Sequence, residues 1–257
     1  MNDRDAVTAR LVDAGFIAAN DEAGELLRSA NGDSAVLESM VARRLRGEPL
    51  AWILGFTDFC GQRIRIDEGV FVPRWHSELI ADRAVVRLPS RGTAVDLCTG
   101  CGAIAKTLKT RRPEARVVAT ELDDRSVACA ASNGVEVFRG DLFAPLPQGL
   151  EGTVDVVAGV VPYVPTRSMT LLSRDTLVFE STLSYDGGED GADILHRVVR
   201  ESPRFLRPGG ALLIELGGGE AELLQPDLAR HGFRDVTVLR DDDGDVRGIE
   251  ATWDHPS

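Results

Sequence analysis

Ala94-Val95-Asp96-Leu97-Cys98-Thr99-Gly100-Cys101-Gly102-Ala103-Ile104-Ala105 is the stretch whose reading decides the fold. Thr93 to Leu97 is short, mostly apolar and followed at once by turn residues, the pattern of an interior parallel strand. Gly100 and Gly102 lack a Cβ, so the backbone can turn sharply and lie against a ligand. Ala103 to Lys109 has helix-forming composition, with Ile104 and Leu108 on one face. The unit is a strand, a glycine turn and a helix start. Free N–H groups at that helix start face whatever rests on the turn, and the carboxyl end of a first parallel strand is the usual seat of nucleotide-like ligands.

The spacing is Asp-x-x-x-Gly-x-Gly. A dinucleotide fingerprint needs a third glycine where this chain has Ile104 or Ala105, and a P-loop needs a Gly-Lys-Ser/Thr setting that Lys106 lacks. Two readings remain. One is the turn of an S-adenosylmethionine (SAM) site, with Asp96 near the methionine end; the other is an ordinary βα turn of an unrelated α/β protein. Around the turn, strands are expected at 93–97, 115–120, 135–138, 154–158, 210–215, 234–239 and 247–253. Helices are expected at 103–111, 124–132, 190–202 and 219–231. That alternation predicts a doubly wound parallel sheet. Asp241-Asp242-Asp243-Gly244-Asp245 reads as a hairpin turn, which makes the last strand antiparallel. The same turn partly matches a calcium loop through Asp241, Asp243, Gly244 and Glu250, but Leu239 holds the first ligand position and no helices flank it.

Two more acids stand at strand ends. Glu121 closes the second strand, where a carboxylate can accept both hydroxyls of a ribose. Its alternative role, a helix cap, can be filled by Asp123 or Asp124. Asp141, after the third strand, can accept from an adenine amino group, with Leu142 against the ring. Three acids at three successive strand ends are more specific than the glycine turn alone. The turn residues Cys98, Thr99, Gly100, Cys101 and Gly102, with Val160 beyond the fourth strand, complete the expected cofactor-binding set.

The chain has 257 residues, 43% hydrophobic and 27% charged, enough for a large core. No apolar run reaches the length of a membrane span, and Met-Asn-Asp-Arg-Asp at the start lacks the apolar core of a signal peptide. A cytoplasmic protein that binds no membrane is expected. The net charge of −12 argues against a nucleic-acid partner. Among the four cysteines, Cys98 and Cys101 form a C-x-x-C, open to a redox reading. Zinc would need a second close pair, which Cys60 and Cys129 do not make, so no metal is expected.

Before residue 49 the chain is helical in pattern over 6–16, 21–29 and 33–47, with Asn20 and Asp33 or Ser34 as candidate caps. Short strands at 57–60 and 62–66 meet at Gly61, and 75–88 reads as a helix. The fourth strand of the sheet ends in Gly159-Val160-Val161-Pro162-Tyr163-Val164-Pro165, whose prolines fix an extended loop. Tyr163 there presents a ring to the reacting centre or serves as a core tyrosine.

Arg46-Gly47-Glu48-Pro49-Leu50-Ala51, Phe71-Val72-Pro73-Arg74 with Glu78, the Asp96 turn, Gly140-Asp141-Leu142-Phe143, Pro162-Tyr163, Asp186-Gly187-Gly188-Glu189-Asp190-Gly191 and Leu206-Arg207-Pro208-Gly209-Gly210 recur together. With these motifs the chain resembles the HemK/PrmC-type protein-(glutamine-N5) methyltransferases along nearly its full length. The resemblance implies a class I SAM-methyltransferase, a Rossmann-like α/β sheet with an antiparallel last strand, plus a small N-terminal helical domain. The implied divisions are 1–48 for substrate recognition, 49–73 as a β-hairpin linker and 74–257 as the SAM-binding domain.

The family's Asn-Pro-Pro-Tyr signature stands here as Val160-Val161-Pro162-Tyr163, and its Pro-Glu-Thr as Trp75-His76-Ser77. In the family the Asn and the following carbonyl hold the glutamine amide, which Val160 cannot do. The cofactor half is kept and the substrate half rewritten. Phe71, Arg74, Val161, Pro162, Tyr163, Glu180 and Asp186 are the expected substrate-binding residues. Pro162, Tyr163 and Glu180 are the expected catalytic ones, with Glu180 orienting the nucleophile. Carboxylates at Glu180, Asp186, Glu189 and Asp190 suit a guanidinium. The expectation is a SAM-dependent N-methyltransferase of a small amine or guanidine, such as an arginine-like amino acid of specialised metabolism. The alternatives are methylation of a protein glutamine in a release factor, and a non-catalytic SAM-binding protein.

Overall fold

Three helices open the chain: α1 (Asp3–Asp13), α2 (Ala19–Ala30) and α3 (Ser34–Leu45). The computed structural model describes residues 3–172 and 174–254. Asp33 caps α3, accepting from the N–H groups of Ala35 and Val36 at 2.9 and 3.1 Å. Asn20 does not cap α2: the helix already begins at Ala19, and its N-cap Ala18 offers no side-chain acceptor. A five-residue helix absent from the sequence pattern, α4 (Leu50–Leu54), follows. Its Ile53 joins Leu11, Leu26 and Val41 in the small helical core, while Trp52 faces the main core. The Trp52 indole N–H donates to the Val70 carbonyl at 2.8 Å, tying the bundle to the next segment.

A hairpin of β1 (Phe56–Phe59) and β2 (Gln62–Arg65) leads to a tight turn at Trp75–Ser77 and to α5 (Glu78–Arg87). Then strands and helices alternate: β3 (Thr93–Leu97), α6 (Ala103–Arg111), β4 (Arg116–Glu121), α7 (Asp124–Ser132), β5 (Glu136–Arg139) and β6 (Val154–Gly159). After α8 (Arg174–Phe179) come α9 (Asp193–Glu201), β7 (Leu206–Glu215), α10 (Glu220–Arg230), β8 (Phe233–Arg240) and β9 (Val246–Trp253). α9 starts later than residue 190 because Asp190 accepts from Ala192 N at 3.1 Å, making a lead-in turn.

The sheet order is β5-β4-β3-β6-β7-β9-β8, parallel except for β9, which runs antiparallel to both neighbours. Asp241 closes the last hairpin by accepting from the N–H groups of Asp243 and Asp245 at 3.1 and 2.9 Å. Apolar layers cover both faces, so β3 and β6 are buried almost throughout, as central parallel strands require. β3 has β4 on one side and β6 on the other. The chain therefore reverses direction across the sheet there, and the crevice at the carboxyl ends of β3 and β6 is the expected ligand seat.

Candidate active site

Asp96 lies at that crevice and is 1% exposed. Its Oδ2 accepts from Thr99 Oγ at 2.5 Å and from Ala105 N at 3.0 Å, stapling the turn to the start of α6. Among the described residues its Oδ1 has no hydrogen-bond partner, and neither has the buried Ser77 Oγ. Both residues line a small pocket of about 40 Å³ with Thr99, Cys101, Phe71 and Val160. Burial pushes the Asp96 carboxyl up to about 7. Cys98 and Gly100 hold the left-handed φ values of 52° and 57°. Gly102 lines neither this pocket nor the main cavity. A Cβ there would come 2.8 Å from Val135 Cγ2, so that glycine serves helix packing.

The main cavity, about 620 Å³, runs from Glu121 and Asp141 past Leu142, Cys98 and Gly100 to Phe71, Val160, Pro162 and Asp186. Glu121 Oε1 accepts from Leu122 N and Asp123 N at 2.7 and 3.0 Å, and its Oε2 from Gly100 N at 2.8 Å. A carboxylate offers about four lone-pair sites, so capacity for hydroxyl donors remains. Arg197 Nη2 donates to Asp141 Oδ2 at 2.8 Å. Arg125, Arg197 and Ser77 also reach the two cavities and were not read from the sequence. Arg197 lies on the helix that follows the acidic glycine turn, and only the folded chain brings it to Asp141. The thiols of Cys98 and Cys101 are pushed well up by burial, which makes poor thiolate nucleophiles of both.

The acceptor end differs from expectation at four residues. Val161 is packed in the apolar layer with Val95 and Leu216. Tyr163 turns its hydroxyl to Glu215 Oε1 at 2.9 Å. Arg74 and Glu180 line a separate cavity of about 420 Å³, between the helical bundle and the hairpin. Glu180 accepts from Val72 N at 3.0 Å, from Arg74 Nη2 at 2.7 Å and from the Tyr185 hydroxyl. With three donors and 2% of its side chain exposed it is a clamp on residues 72–74, and it lines this separate cavity, not the main one. Phe71 reaches the main cavity and stacks edge-on to Tyr185 at 5.5 Å.

Asp186 lines the cavity, but its Oδ1 accepts from Thr166 Oγ at 2.7 Å and Gly188 N at 3.1 Å, which holds its carboxyl below the usual range. The surrounding turn interlocks with the 162–166 loop through main chain. Val164 N donates to Tyr185 O, Gly187 N to Val164 O and Thr166 N to Gly188 O, at 2.8, 2.9 and 2.8 Å. A Cβ on Gly191, which has φ +83°, would come 2.4 Å from Tyr163 O. That position requires glycine.

Among known proteins, the release factor glutamine methyltransferase of Geobacter sulfurreducens is 35% identical over 216 residues, covering 82% of this chain and 75% of that protein. The chain belongs to the release factor glutamine methyltransferase family. It is a SAM-dependent N-methyltransferase. No family model matches the chain. The 4-amino-L-phenylalanine/4-methylamino-L-phenylalanine methyltransferase of Streptomyces pristinaespiralis is 37% identical over 188 residues, 69% of this chain and 64% of that protein. A chain of the E. cuniculi Mtq2–Trm112 complex shares the fold with a TM-score of 0.54 and 22% identity, over 72% of this chain and 99% of its own. Among the described residues, no helix is long and apolar enough to cross a membrane.

The donor set of this family member fits SAM. The orphaned Asp96 Oδ1 is an acceptor suited to an ammonium, and the Ser77 hydroxyl a donor suited to a carboxylate. Glu121 and Asp141 lie at the other end of the same crevice for a nucleoside.

Proposed function

We propose that this methyltransferase acts on an amine nitrogen of a small molecule and not on the side-chain amide of a protein glutamine. The observation behind the reading is Val160. It lines both the small pocket and the main cavity, and it stands where the family carries the amide-holding Asn. An amide lone pair is delocalised into its carbonyl and must be held and aimed. Leaving its N–H groups without a partner costs about 1–3 kcal/mol, and loss of aim costs more. An uncharged amine keeps its lone pair on nitrogen and needs no such grip. The relative from Streptomyces pristinaespiralis, named for methylating an aromatic amino group, supports the same reading.

In this reading SAM supplies a sulfonium-activated methyl group. Asp96 and Ser77 hold the methionine end, Glu121 the ribose and Asp141 with Leu142 the adenine. Phe71, Val160 and Pro162 wall off the methyl group from water and align the incoming nitrogen. Catalysis then comes from proximity, the main contribution a positioning site can make. A guanidinium clamp by Glu180 and Asp186 does not belong to the proposal, because the two carboxylates line different cavities. Residues 1–48 would carry partner recognition if the acceptor were a protein.

The second reading, methylation of a release-factor glutamine, is favoured by the identity to the Geobacter sulfurreducens protein. Purified protein incubated with methyl-labelled SAM and a bacterial extract separates the two. Label in the small-molecule fraction supports the proposal, and label confined to a protein band overturns it.

A further inference from the structure

Tyr163 leads away from the cofactor cavity to a group of side chains that the site has not used. β6 and β7 pair in parallel, with Gly159 opposite Ile214, so Glu215 stands at the carboxyl edge beside the 160–163 loop. Glu215 is 2% exposed. Its Oε1 accepts from Tyr163, and His76 Nε2 lies 3.4 Å from that oxygen. Its Oε2 has no hydrogen-bond partner among the described residues. Glu220, the first residue of α10, is 9% exposed, and its Oε2 has none either. Gly217 borders Glu220 and Tyr163: a Cβ there would stand 3.0 Å from Glu220 Oε2 and 3.9 Å from Tyr163 Cε2.

Burial and the nearby carboxylates of Glu215 and Glu220 push the Tyr163 phenol well up. Arg247, the cation nearest in charge effect, is engaged by Asp241 at 2.6 Å and Asp245 at 3.3 Å. Two buried carboxylates with unserved oxygens call for a cation. Among the described residues no group of three His, Cys, Asp or Glu side chains is placed to hold a metal ion, which leaves an organic one.

We propose that Glu215 and Glu220 receive the ammonium group of the substrate, beside the Tyr163 ring. An ammonium has no lone pair, so the group held here is not the nitrogen that is methylated. The substrate class is therefore a small amino compound with two nitrogens. One is a cation gripped at the end of β7, and the other is an uncharged amine at Val160 and Pro162. This inference rests on the small-amine reading above.

The test uses the full chain and two acceptors, 4-amino-L-phenylalanine and its desamino analogue, which keeps the aryl nitrogen and lacks the ammonium. Wild type is expected to favour the ammonium-bearing acceptor in kcat/KM by at least about tenfold. Glu215→Gln and Glu220→Gln are each expected to reduce that preference at least about threefold, with SAM affinity by calorimetry unchanged. A preference kept in both variants discards the subsite and leaves the small-amine reading standing. Transfer to neither acceptor, with label only in protein, discards the reading and the subsite together. Should Glu215→Gln lose SAM binding through misfolding, Glu220→Gln decides alone: a kept preference overturns the subsite and a lost one supports it.

Discussion

The two ends of the cavity are held in shape by different kinds of bond. At the ends of β3 and β4, acids accept from the main-chain N–H groups of their own turns: Asp96 from Ala105, and Glu121 from Gly100, Leu122 and Asp123. In the loops after β6 and at the end of β7, side chains are held mostly by distant side chains: Tyr163 by Glu215, and Glu180 by Arg74. In the first region a substitution removes the turn and the ligand contact together. In the second a side chain can change while the backbone stays. The departures from the family signature at Val160, Val161 and His76 fall in the second, whereas Ser77 lines the pocket of Asp96.

The contrast is broken most severely at Asp96. Asp96→Ala is expected to weaken SAM binding at least about a hundredfold by calorimetry, because it removes a buried charge aimed at a cation. An affinity within threefold of wild type would sink that role. Asp96 also predicts a pH signature. Burial raises its carboxyl from 3.8 to about 7, so the ligand-free fold favours the neutral form. That contribution is complete below 3.8 and is lost as pH rises through about 7. Asp96→Asn removes it. The melting temperature of the variant should gain on wild type as pH rises across that window, and a constant difference would contradict the shift.

Glu121→Ala is expected to raise KM for SAM about thirtyfold while changing kcat less, since it loosens both a ribose contact and the Gly100 turn. Glu180→Gln sharpens the comparison from the other side. It should cost about 1–3 kcal/mol of stability in denaturant melts, with KM for SAM within about twofold. A kcat loss near a hundredfold with unchanged stability would return Glu180 to the chemistry. The smallest effect is expected from Val160→Asn. It should shift the ratio of glutamine-peptide to amine methylation about three- to tenfold, measured by competition, and leave SAM affinity alone.

The positions of Asp96, Glu121 and Asp141 were legible in the sequence because each stands at or just beyond the carboxyl end of a strand. Strand order alone places them in one crevice. Glu180 was misread because its donors, Val72 and Arg74, lie 108 and 106 residues away. No local pattern records such a contact. Tyr163 offered two readings, and the deciding partner, Glu215, stands on another strand. α4 escaped detection because five residues do not complete a periodic face. Asp33 was a correct cap candidate and Asn20 was not, since Ala19 already belongs to the helix.

The loop after β6 is locked to the 186–191 turn through peptide groups, and glycines at 187 and 191 are required by that contact. These main-chain bonds do not involve the side chain at 160, whereas Val161 is packed in the core. Exchange of the residue at 160, which lines the cavity, leaves those main-chain bonds in place. The lock thus makes the loop an interchangeable socket, in which new acceptors can be tried by descent while the architecture that presents them is inherited intact.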